Sequence, residues 1–119
     1  MPLSFSFDTE AFRPPLDGDH PAGENLQQTE DGRVLRSRLR DLREEARRIE
    51  RKADAGDSSD GGWSAACGVW QELRDAALAV LWDRSRDLDV AALAIEALAR
   101  TDGFAGLAAG FDLTRTLVE

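Results

Sequence analysis

Leu35, Leu39, Leu42, Ala46, Ile49 and Ala53 return at alternating steps of four and three, which draws a single apolar stripe along an otherwise charged helix. Thr29 is placed to cap that helix, Glu30 and Asp31 suit its positive N-terminus, and Gly56 ends it. Glu44 stands one turn before Arg48, an order that favours an ion pair on the helix surface. The stripe lasts only about three heptads and contains alanines, so packing within the molecule is favoured over a coiled-coil seam with another copy. A polar connector, Gly56-Asp57-Ser58-Ser59-Asp60-Gly61-Gly62, follows; it lacks the Gly-Lys-Ser or Gly-Lys-Thr ending of a phosphate-binding loop.

Ala66, Trp70, Leu73, Ala77, Val80 and Leu81 mark one side of a second helix, from about Trp63 to Arg84. Trp63, Trp70 and Trp82 are expected as core anchors, with Trp82 the best candidate for exposure because it falls off that stripe. Ser85 or Asp87 caps a third helix whose body, residues 90–99, is apolar nearly all round and must therefore be central. Thr101-Asp102-Gly103 stops it, and a fourth helix returns antiparallel. Gly103, Gly106 and Gly110 lie on one side of that last helix. Glycine inside a helix costs about 1 kcal/mol against alanine, and close approach of a neighbouring backbone is the reason to keep it. Phe104 is expected in the core beside Gly106.

All four prolines, Pro2, Pro14, Pro15 and Pro21, precede Leu26, which blocks any long helix there and implies an extended arm. Its Phe5, Phe7, Phe12, Leu16 and Leu26 either cross the helical core or belong in part to a mobile terminus. The division expected is a flexible segment over residues 1–15 and a single helical domain over 16–119. The fold class is all-α: a compact bundle of about four main helices with an extended, Pro/Gly-containing N-terminal arm.

Composition sharpens this picture. Tyrosine is absent, and Ala, Leu, Arg, Glu and Asp dominate, which favours helix over sheet. Lys plus Arg number 15 against 23 for Asp plus Glu, a net charge of −8, so a nucleic-acid partner would be repelled on average. The basic run from Arg33 to Lys52 is interleaved with Asp41, Glu44, Glu45 and Glu50, and its bland reading is a solvated helix face. One cysteine, Cys67, excludes an intramolecular disulfide and suits a reducing, cytoplasmic setting. No signal peptide and no run of about 18 apolar residues is present, so membrane insertion is not expected.

Catalytic chemistry finds few candidates. His20, the only histidine, would need carboxylates such as Asp17, Asp19 and Glu24 to hold a metal, and a solvated polar turn accounts for it better. Cys67 lies among alanines with no base beside it, as a buried inert thiol would. Glu44 with Glu45 and Asp87 with Asp89 do not share a helix face in the way paired acid–base catalysis needs. No catalytic residue, cofactor or metal site is assigned. A small all-α enzyme would require a polar-lined pocket between the helices.

Several stretches together resemble a known family: Pro21-Ala22-Gly23-Glu24-Asn25-Leu26, Trp63 opening a helix, Ser85-Arg86-Asp87-Leu88 with Val90-Ala91, Glu96-Ala97-Leu98, and Gly103-Phe104-Ala105-Gly106-Leu107 through Gly110-Phe111-Asp112-Leu113. In order and spacing, from about Leu16 to Val118, these are similar to the ImpA-type N-terminal domain of TssA-like proteins of the type VI secretion system. Arg86 stands where the family commonly has Lys, and Gln27-Gln28 replaces its charged or aromatic residues. The resemblance implies a non-enzymatic, cytoplasmic protein-interaction module in baseplate and contractile tail sheath assembly, with baseplate and sheath or tube proteins as partners. The resemblance leaves self-association open and implies that in the family it runs mainly through C-terminal regions, which are not expected within this stretch. The alternative is a stand-alone helical adaptor or regulatory domain unrelated to secretion. Because arginine is favoured in interfaces, the contact surface is placed on solvent-facing side chains of the first helix, Arg36, Arg40, Arg43 and Arg47.

Overall fold

The computed structural model describes residues 9–16 and 22–118. Among them are two 3-10 turns, Thr9–Phe12 and Leu26–Gln28, and three α-helices: α1, Glu30–Asp54; α2, Gly62–Asp83; and α3, Leu88–Val118. Thr29 caps α1, its hydroxyl accepting from the Gly32 amide at 2.9 Å. Asp87, not Ser85, caps α3: Oδ1 accepts from the amides of Asp89 at 2.8 Å and Val90 at 3.2 Å. Glu44 turns to Arg43 rather than Arg48, because Asp60 in the connector reaches Arg48 at 2.5 Å.

The all-α class holds, with three main helices, the last of them broken at Gly103 into two limbs. The stop read at Thr101-Asp102-Gly103 is a reversal inside α3, made at Gly103 with φ 62° and ψ −139°, a conformation open to glycine and strained for any other residue. Limbs 88–102 and 104–118 then run antiparallel, with Gly106 against the Leu98 carbonyl and Gly110 against Ile95. A Cβ at Gly106 would collide with that carbonyl oxygen, and one at Gly110 would come within 3.2 Å of the Ile95 Cα. Close backbone approach is thus the reason for both glycines.

The core forms where α2 lies between its neighbours. Trp70, Leu73, Ala77 and Leu81 of α2 meet Leu39 and Ala46 of α1 and Val90, Ala91, Ala94 and Ala97 of α3; Leu113, Leu26 and Phe12 close the ends. Each fully buried leucine contributes about 1.5–3 kcal/mol relative to exposure. Trp70, 1% exposed, donates its indole N–H to Glu50 at 2.8 Å, and Arg100 both pairs with Glu50 at 3.1 Å and lies over the Trp70 ring. One carboxylate thereby ties α1 to α2 and α3.

Two core expectations, for Trp63 and Phe104, are corrected, and Trp82 is exposed in keeping with its place off the stripe. Trp63 is exposed in the first turn of α2, at the end of the bundle where no neighbour covers it. Trp82 is half exposed and meets Phe12 edge-on at 5.2 Å. Phe104 is 91% exposed, because the inward turn of Gly106 carries it to the far side of the limb. Thr9–Phe12 already packs on α3, within the stretch assigned to a flexible segment over 1–15; residues 1–8 lie outside the described residues.

Candidate docking surface

Two of the sequence motifs meet in space. Gly23 of the arm bridges Ser85 before α3 in antiparallel β fashion: the Glu24 amide donates to the Arg84 carbonyl at 3.2 Å and the Arg86 amide to the Ala22 carbonyl at 2.7 Å. Ser85 Oγ adds a bond to the Glu24 carbonyl at 2.7 Å, and the Glu24 carboxylate pairs with Arg84, holding that guanidinium more firmly protonated than usual. Gly23 has φ +84°, and a Cβ there would strike the Arg84 carbonyl, so the arm must present glycine at this point. Arg86 then reaches back to the N-terminal segment, donating to the carbonyls of Phe12 and, at 3.1 Å, Pro14, with its cation 5.9 Å from the Phe12 ring centroid. Burial lowers the Arg86 pKa, yet a guanidinium in this setting remains charged at neutral pH. An open groove of about 640 Å³ runs between the motifs, lined by Glu24, Asn25, Gln27, Arg86, Asp87 and Asp89 among others.

The arginines of α1 divide by helical angle. Arg36 and Arg43, seven residues apart, point towards α3. Arg36 is only 7% exposed and pairs with Asp89 and, at 3.7 Å, with Asp87; its buried Nε finds no hydrogen-bond acceptor among the described residues. Arg43 bonds Glu96 at 2.5 Å and Glu44 at 2.9 Å, and the Glu96 bond raises its pKa further. Arg33, Arg40 and Arg47 repeat at the same interval about 60° away around the axis. None of the three has an ion pair among the described residues, although Arg33 donates to the Gln27 carbonyl at 2.9 Å. Arg40 borders two surface notches, one lined by Gln27, Arg33 and Arg36 and the other by Arg43, Glu44, Asp89 and Leu93.

Of the four predicted contact arginines, then, Arg40 is exposed, Arg47 is half-buried with no ion pair among the described residues, and Arg36 and Arg43 are spent on α3. The placement of Arg36 on the solvent side is corrected: the acids at the start of α3 draw it inward. Arg33, which is not among those four, stands in the same heptad line as Arg40 and Arg47. Cys67 is half-buried and accepts a weak bond from Gln71 at 3.8 Å. Asp17, Asp19 and His20 lie outside the described residues. No group of three or more His, Cys, Asp or Glu placed to hold a metal occurs among the described residues, nor is any helix long and apolar enough to cross a membrane.

Fold and site together define a small all-α domain in which backbone clamps and ion pairs fix the elements to one another and leave a row of arginines outside. The family described as ImpA, N-terminal, type VI secretion system, matches residues 14–119, and the chain belongs to it. No curated protein and no solved structure matches the chain.

Proposed function

We propose that this domain is a non-enzymatic docking module, acting in the cytoplasm in assembly of the baseplate and contractile tail sheath of a type VI secretion system, and that it binds through the outer arginines of α1. Family membership supports the setting. The observation that carries the reading is the row Arg33, Arg40 and Arg47: cations without acidic partners among the described residues, on a chain with net charge −8 whose neighbouring Arg36, Arg43 and Arg48 are tied to carboxylates. Successive members stand about 10 Å apart along the helix, a spacing that suits an acidic helix or ridge on a partner. Arg36 and Arg43 act indirectly here, holding α1 in place against α3.

Retention of baseplate or sheath proteins of the same system on the immobilised chain tests this. Arg40→Glu with Arg47→Glu is expected to abolish retention while helical content stays unchanged. Unchanged retention by the double variant removes the proposed face. Arg36→Glu is expected to lower stability as well as binding, because it sets a buried carboxylate against Asp87 and Asp89.

A further inference from the structure

The limb 104–118 turns its glycines inward, and its large side chains consequently face out. Phe104, Phe111 and Val118 are 91%, 61% and 63% exposed. Standing seven residues apart, they form one line about 21 Å long on the side opposite Gly106 and Gly110. Leu107, Ala108, Thr114 and Arg115 flank the line. Between Gly103 and Val118 the only charged residues are Asp112 and Arg115, which pair with each other at 2.6 Å. The strip is therefore neutral on a molecule of net charge −8, so it is a place where two copies approach with little repulsion.

We propose that this strip is a contact surface between two copies of the chain, packed antiparallel about a two-fold axis through Phe111. The order of side-chain sizes about Phe111 is self-complementary. Phe104 meets Val118 of the second copy, Leu107 meets Thr114, the Arg115 stem lies over Ala108, and the two Phe111 rings meet at the axis. Large faces small at every layer away from the centre, no like charges are opposed, and a two-fold contact needs only one patch per chain. A single strip of this length is a small contact, in the class of weak and transient associations that bury less than about 1,200 Å², so the dimer is reversible and depends on concentration. It uses no residue of the α1 arginine row, so the two proposals fail separately.

Sedimentation velocity on the full chain, from low micromolar to submillimolar concentration, tests it. The mass is expected to move from one chain towards two. Phe111→Ser is expected to abolish that rise while leaving helical circular dichroism and melting temperature at the parent values. In a Cys67→Ser background, Phe111→Cys is expected to cross-link into a dimer on mild oxidation, whereas Ser64→Cys, exposed on α2, is not. A parent chain that stays monomeric throughout overturns the proposal and leaves the strip to a different protein. A dimer that survives Phe111→Ser overturns it by placing the contact elsewhere.

Discussion

An added side chain at Gly106 has nowhere to go, because the Leu98 carbonyl of the opposing limb occupies the space. Gly106→Leu is expected to lower stability by about 1–3 kcal/mol through overpacking, read as a fall in melting temperature. Phe104→Ala, two residues away, is expected to change stability by no more than about 0.5 kcal/mol, because the ring is open to water. Trp70→Ala is expected to cost about 3–5 kcal/mol by emptying the centre of the core and leaving Glu50 with Arg100 alone. The glycine seam was legible in the sequence from the cost of interior glycines. The outward phenylalanines were not read from it, although helix geometry contains the answer: two residues turn about 200°, so an inward Gly106 requires an outward Phe104.

Among the elements, the start of α3 does the most joining. Asp87 caps the helix with one oxygen and draws Arg36 of α1 with the other. Asp87→Ala is expected to cost about 1 kcal/mol for the cap alone and more for Arg36 left with one partner; Asp87→Asn, which keeps a capping oxygen and removes the charge, separates the two contributions in the same melting measurement. Acid acts on the outer fastenings. The Thr9 and Arg115 bonds hold the Asp112 pKa down, Arg13 does the same to Glu10, Lys52 with Arg48 to Asp60, and Ser59 with Lys52 to Asp57. Folded values depressed below the ordinary 3.8 and 4.5 mean stability present above those values and lost as pH falls through the lowered ones. Melting temperature is thus expected to decline below that range, less steeply in Asp112→Asn. Helix boundaries were legible to within a residue or two, since caps and glycines mark them locally. The break between limbs 88–102 and 104–118 is marked just as locally, by Thr101-Asp102-Gly103.

At the scale of the whole molecule, the described chain is a slab of 50 × 36 × 15 Å, so much of every helix lies near a surface and the question is which faces remain free. Charge alone could not answer it for α1. Arg36 and Arg40 look alike in sequence, and only the arrival of Asp87, Asp89 and Glu96 opposite one side of α1 separates inner from outer arginines. The outer row is exposed enough for salt to screen it, so binding to an acidic partner is expected to weaken as ionic strength rises through the physiological range, whereas the apolar strip on α3 is expected to respond little. Hydrogen–deuterium exchange of the chain, alone and with the baseplate or sheath protein it retains, reads the central claim most directly. Slowed exchange over residues 33–51 of α1 is the result expected of docking through the arginine row; protection confined to other elements, or none at all, would contradict it.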